Sequence, residues 1–235
     1  MTGIIDEIRA DLEAAADEKT QAGLTRFFKE EIKLYGVKTA QVTKISKSHF
    51  AQVKDLSKDD IFALCEELLE SGYQEEAVIA ANWSYWINKR YKPGDFAVFE
   101  RWVERYIDNW AKCDTLCNHT VGTFMEQYPD HVECLKTWTR SENRWVKRAA
   151  AVSLIVPAKK GEFLTDIFEI ADSLLLDSDD MVQKGYGWLL KEASHEHQSE
   201  VFDYVLRNKA VMPRTSLRYA IEKMPQEMRK KAMEK

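Results

Sequence analysis

An all-α chain built from stacked helix pairs is the fold class that the sequence predicts, and three observations predict it. Apolar residues recur three and four apart, as in Phe62, Cys65, Leu68 and Leu69, and again in Leu164, Ile167, Phe168 and Ala171. Only 9 Gly and 5 Pro punctuate 235 residues. A repeat is also visible: "SENRWVKRAAAV" from Ser141 aligns with "DSDDMVQKGYGW" from Asp177 at an offset of 36.

Helix starts are expected at Thr39 before "AQVTKI", at Ser57 in the capping-box variant "SKDD", at Ser141 before "ENRW", and at Asp177 to Asp180 before "MVQKG". Stops and turns are expected at Gly36, Gly72, Pro93-Gly94, Pro129, Pro157, Gly161 and Pro213. These signals delimit roughly ten to twelve helices of about 10 to 16 residues, in one domain spanning residues 1–235. Under the 36-residue offset Val146 meets Val182, Arg148 meets Lys184 and Ala149 meets Gly185; further steps reach Cys113, Ala77 and Ala220. A small residue once per period lets neighbouring helices approach closely, as an α-solenoid requires. An irregular helical bundle is the competing architecture.

Composition narrows the function. There are 34 Lys and Arg against 39 Asp and Glu, net −5, which excludes a uniformly basic nucleic-acid binder. Residues 1–100 hold 13 basic and 18 acidic side chains, while residues 101–235 hold 21 of each, so the basic potential lies in the second half. Under this repeat, Lys112, Arg148 and Lys184 are expected to form a basic stripe on one concave surface, with Arg144 and Lys147 beside it, the pattern of local phosphate contact. The N-terminus carries acids where a secretion signal would carry a basic region, and no stretch has the roughly 18 apolar residues of a membrane helix. A cytoplasmic location is expected.

Trp110 and Asp114 are four apart and share a helix face; Arg148 and Trp188 follow one and two repeats on. Aromatic plates, a carboxylate and a guanidinium together suit a cationic sugar–base system. Each has a plainer reading, as core tryptophan or ion-pair partner, and Trp83, Trp86 and Trp145 are assigned to the core. No metal site is expected, because Cys113, Cys117, His119, His131 and Cys134 lack zinc-ligand spacing. The "HEH" of His195 to His197 reads as an exposed loop. No Ser–His–Asp order, Gly-rich phosphate loop or Walker motif is present.

Five ordered blocks carry a resemblance: "YGVKT" at Tyr35, "NWAKCD" at Asn109, "SENRWVKRAA" at Ser141, "VQKGYGWLLKE" at Val182 and "MPRTSLRYAIE" at Met212. They resemble the DNA alkylation repair family of bacterial AlkD-type glycosylases over almost the whole chain. The resemblance implies a HEAT-like, ARM-type α-solenoid of stacked antiparallel helix pairs with a concave DNA-binding surface. It implies hydrolysis of the N-glycosidic bond of cationic N3- or N7-alkylated purines in duplex DNA, without base flipping, cofactor or metal, by a monomer. It places the catalytic carboxylate at Asp114, where it stabilises the oxocarbenium-like sugar and orients water, the flanking aromatics at Trp110 and Trp188, and the backbone-holding arginine at Arg148. Lys112, Arg144, Lys147, Lys184 and Arg218 are the expected further DNA contacts. The chain departs from the family pattern at Asn109 and Ala111, where a Trp and an Asp are usual. A non-catalytic paralogue binding distorted or branched DNA is the alternative, and a protein-binding scaffold is a third.

Overall fold

The computed structural model describes residues 2–234, and the chain divides into two compact units, Met1–Leu116 and Cys117–Lys235. The described residues form an all-α protein with no strand, only an isolated bridge between Lys33 and Tyr73. The N-terminal unit contains α1 (Thr2–Ala14), α2 (Glu18–Thr25), α3 (Thr39–Val53), α4 (Lys58–Glu70), α5 (Gln74–Trp86), α6 (Phe96–Tyr106) and α7 (Trp110–Leu116). The C-terminal unit contains α8 (Gly122–Gln127), α9 (Val132–Trp138), α10 (Arg144–Val152), α11 (Ile155–Lys159), α12 (Leu164–Leu174), α13 (Asp180–Ala193), α14 (Gln198–Asn208), α15 (Arg214–Ala220) and α16 (Gln226–Met233).

Helix α4 shows how the sequence makes these elements. Ser57 accepts a hydrogen bond from the Asp60 amide, and Asp59 and Asp60 place negative charge on the first turn, where the helix dipole favours it. Ile61, Phe62, Leu64, Cys65, Leu68 and Leu69 then recur at helical spacing and are buried. The helix stops before Gly72, whose φ of +75° suits a residue without a side chain. Helix α5 packs against α3, α4 and α7. Trp83, fully buried on α5, donates its indole N–H to the Ser46 carbonyl of α3 at 3.0 Å.

The start of α5 is an anchoring point. Glu75 Oε1 accepts from the amides of Gly36 and Val37, and its Oε2 from that of Tyr35. Glu76, fully buried, takes a two-pronged contact from Arg9 of α1 and the hydroxyl of Tyr35 at 2.7 Å. Two buried carboxylates are thus satisfied by cations and backbone donors, as burial of such charges requires.

In the C-terminal unit α13 is the central helix and packs against α10, α11, α12 and α15. Its approach to α15 is closest at Gly187: a Cβ there would lie 2.8 Å from Tyr219 Cβ and 2.9 Å from the Ser216 carbonyl oxygen. The small residue picked out by the repeat, Gly185, is less tightly enclosed, with Arg148 Cγ at 3.3 Å.

The 36-residue interval reappears in the tertiary hydrogen bonds. In the N-terminal unit, Trp83–Ser46 spans 37 residues, Arg101–Glu66 spans 35 and Asn109–Gln74 spans 35. In the C-terminal unit, Thr139–Ser173 spans 34, Lys160–Glu126 spans 34 and His197–Gly161 spans 36.

Several local expectations are corrected. Thr39 is the first residue of α3 rather than its cap, and Lys38 before it makes no side-chain cap bond. The cap of α10 is Asn143, not Ser141; its Oδ1 accepts from the Trp145 amide at 2.9 Å. Asp179 caps α13, within the expected Asp177 to Asp180. Pro157 is not a stop: it sits in the first turn of α11, where a missing N–H costs nothing. Helices are more numerous and shorter than expected, because such breaks and a π turn at Cys117–Val121 divide longer apolar runs.

Candidate functional site

The candidate residues fall on both units, and each group is built by its own unit. In the N-terminal unit the site rests on α7. Asn109, almost wholly buried, accepts from the amides of Ala111 and Lys112 at 2.9 and 3.0 Å, so it caps α7. Its Nδ2 donates to Gln74 Oε1 at 3.1 Å and to Asp108 Oδ1 at 2.9 Å, which fixes α7 against the start of α5. Asn109 therefore has a structural role as the cap of α7.

Trp110, half-buried at the start of α7, stacks on Phe28 with ring centroids 5.4 Å apart and planes 20° from parallel. Both rings line an apolar cavity of about 250 Å³ with Phe27, Leu34, Val78 and Ala111. The second departure, Ala111, is thus a small wall residue of that cavity. Asp114 lies one turn along α7 from Trp110 and is half-buried.

Lys112 does not join an exposed stripe. Its side chain is only 2% exposed, and its ammonium donates to the Gly72 carbonyl at 2.8 Å and to Asp108 at 2.9 Å. It ties α7 to the α4–α5 turn. The same Asp–Lys pair recurs two 36-residue periods later as Asp180–Lys184, at 3.2 Å.

In the C-terminal unit Arg148 of α10 is also buried, at 5% exposure, and donates to the Met181 carbonyl at 2.6 Å. It satisfies a carbonyl at the N-terminal end of α13 and is not an exposed member of a stripe. Arg144 contacts Asp179 at 2.9 Å and lies over the Trp145 ring at 4.6 Å. Lys147 pairs with Asp177, and Lys184 with Asp180. The three cations expected to face phosphate are thus partly neutralised by acids at the start of α13. Arg218, on α15, is exposed, and among the described residues no ion-pair partner accompanies it.

Trp188 is half-buried on α13, with its indole N–H donated to Glu192 at 2.9 Å and the Lys191 ammonium 6.0 Å from the ring centre. Trp83 and Trp145 are core residues as expected, but Trp86 is half-exposed and meets Phe50 edge-on at 5.0 Å. His195 is exposed, whereas His197 is only half-exposed and shares a 2.9 Å hydrogen bond with the Gly161 carbonyl. All four cysteines are free thiols, three of them buried. No group of three or more His, Cys, Asp or Glu suited to a metal occurs among the described residues. No helix among them is long and apolar enough to cross a membrane.

Sequence reasoning missed Phe28 and Glu75, and missed the capping role of Asn109. Asn109 stands three residues before Lys112 at a helix start, a capping signal present in the sequence. Phe28 and Glu75 act through contacts 82 and 39 residues away, with no local signature.

The comparisons with known proteins give one fold and, from the family model, one family. No protein of curated function matches the chain. Its fold is similar to that of a protein described as a predicted DNA alkylation repair enzyme from Enterococcus faecalis, at 15% identity and a TM-score of 0.80, covering 90% of this chain and 97% of that one. The family model for DNA alkylation repair enzymes matches residues 8–224. With α7, α10 and α13 all inside that match, the chain belongs to the DNA alkylation repair enzyme family.

Proposed function

We propose that this protein is a DNA glycosylase that hydrolyses the N-glycosidic bond of cationic N3- or N7-alkylated purines, of the 3-methyladenine and 7-methylguanine class, in duplex DNA. The observation that carries the reading is α7 itself: a half-buried carboxylate, Asp114, stands one helical turn from a half-buried indole, Trp110, within the family match. The finer fold reading, HEAT-like repeats stacked as a solenoid, is supported by tertiary hydrogen bonds at intervals of 34 to 37 residues in each unit.

Alkylation at N3 or N7 makes the base a good leaving group, and positive charge moves to the sugar as the bond breaks. A carboxylate about 4 Å from a unit charge gains roughly 4 kcal/mol at an effective dielectric near 20. That corresponds to about a thousandfold in rate when the charge exists only in the transition state. Asp114 takes this role and orients the attacking water. Trp110 flanks the lesion nucleotide without base flipping, and Trp188 is a further aromatic contact for the DNA. Arg148 acts within the C-terminal unit, tying α10 to the start of α13 through the Met181 carbonyl. The protein acts as a cytoplasmic monomer without a cofactor, and Arg144, Lys147, Lys184 and Arg218 contact phosphate.

The test is release of 7-methylguanine and 3-methyladenine from methylated duplex DNA under single-turnover conditions, wild type against Asp114→Asn at equal folded concentration. Release by wild type, abolished in the variant with duplex binding retained, is the expected result. Equal release by both would remove Asp114 from the mechanism. Duplex binding without release by wild type would favour the non-catalytic DNA binder.

A further inference from the structure

We infer that the open hollow between α15 and α16, flanked by Arg218 and Arg229, is a second contact point for the phosphodiester backbone of duplex DNA. The inference rests on the DNA-binding part of the reading above and extends it to a helix that lies beyond the family match, which ends at residue 224.

Three observations carry it. The first is local charge: residues 214–233 hold six Lys and Arg against two Glu, a net +4 on a chain of net −5. The second is availability. The cations of α10 and of the first turns of α13 are engaged by Asp177, Asp179 and Asp180, so a phosphate must displace a carboxylate to reach them. Arg218 and Arg229 are exposed, and neither has an ion-pair partner among the described residues. Counterion release rewards cations that gain a phosphate without giving up a carboxylate. The third is shape: both arginines line a recess of about 390 Å³, whose floor includes Ile221 and Met233. The nearby acids are already occupied, Glu222 by Lys191 at 3.4 Å and Lys223 at 3.7 Å, and Glu227 by Lys230 at 3.4 Å.

A guanidinium presents a planar fork of donors that fits two phosphate oxygens, and two such forks on one recess grip a backbone in a defined orientation. Such contacts position without reading sequence. The site therefore takes any duplex, damaged or not, and anchors it while the lesion is sampled elsewhere.

The experiment measures binding of an unmodified 20-base-pair DNA duplex by fluorescence anisotropy from 50 to 300 mM NaCl. Three proteins are compared: wild type, the Arg218→Ala/Arg229→Ala double variant, and a Lys89→Ala/Arg105→Ala control that removes the same charge from exposed positions of the N-terminal unit. Circular dichroism verifies that all three are folded. The expected result is a slope of log K against log salt that is smaller in magnitude by about 1.8 in the first variant, about 0.9 for each phosphate no longer neutralised, and unchanged in the control. An unchanged slope in the first variant overturns the assignment, as does an equal fall in both variants, which would reduce the effect to net charge. Absence of duplex binding by wild type would instead overturn the DNA-binding reading on which the inference rests.

Discussion

The ring of Phe28 stacks on the indole of Trp110, 5.4 Å between centroids and 20° from parallel. The proposed lesion-flanking indole is thus held on one side by the protein's own aromatic ring. Aromatic pairs of this kind contribute about 0.5 to 1.5 kcal/mol beyond their area burial. Trp110→Phe is expected to keep the stack and melt close to wild type, while excising methylated purines slowly; Trp110→Ala is expected to lose both stability and excision. Thermal melts paired with single-turnover rates separate the two effects. Full excision by Trp110→Phe would make the indole purely structural.

Lys112 behaves as a core cation. Replacing it by Met leaves the Gly72 carbonyl without its donor, while Asp108, exposed to water, is rehydrated. The expected cost is about 1 to 3 kcal/mol of stability, measured by urea unfolding. The salt dependence of duplex binding is expected to stay at the wild-type slope, which an exposed phosphate contact would not allow.

Two glycines on α13 are expected to differ. A methyl at Gly187 meets Tyr219 Cβ at 2.8 Å and Ser216 backbone atoms at 2.9 and 3.0 Å, none of which can swing away. Gly187→Ala is expected to lose about 1 to 3 kcal/mol through overpacking. Gly185→Ala meets Arg148 Cγ at 3.3 Å, a contact relieved by a shift of a few tenths of an ångström, and gains helix propensity of about 1 kcal/mol, so it is expected to be the milder change. Denaturant midpoints of the two variants test the order.

The Arg101 guanidinium, bonded to Glu66 at 3.0 and 2.6 Å, holds that carboxyl down to about 2, helped by Tyr106 and opposed by partial burial. A carboxyl with a depressed pKa in the folded state stabilises the fold fully above its unfolded value, about 4.3, and loses that contribution as pH falls toward the folded value. Arg101→Gln is therefore expected to be less stable than wild type at pH 7, with the difference shrinking between about pH 4.5 and 2. Unfolding curves at a series of pH values, repeated at high salt, check both the direction and the screening expected of a partly exposed pair.

The helical class, the 36-residue interval and the caps at Ser57 and Asp179 were readable from the sequence because each depends on residues within one turn or on a repeated pattern. What was not readable depends on distant partners. Lys112, Arg148 and Lys184 fall at the same point of the 36-residue interval in the sequence, yet two are buried under neighbouring turns, because burial is set by the local neighbours of each. The parts played by Asn109 and Ala111 also emerge only from the packing: one caps α7, the other lines the cavity beside Trp110.

The recurrence of tertiary hydrogen bonds over about 36 residues has a kinetic consequence. Within each unit, every such bond closes a loop of similar and modest length, so the entropy given up at each step is nearly constant and none waits for the distant end of the chain. Under the proposed stacking of helix pairs, such a polypeptide acquires much of its structure progressively, each further pair meeting the pair made just before it. Contacts at this separation, rather than between the ends of the chain, favour rapid folding.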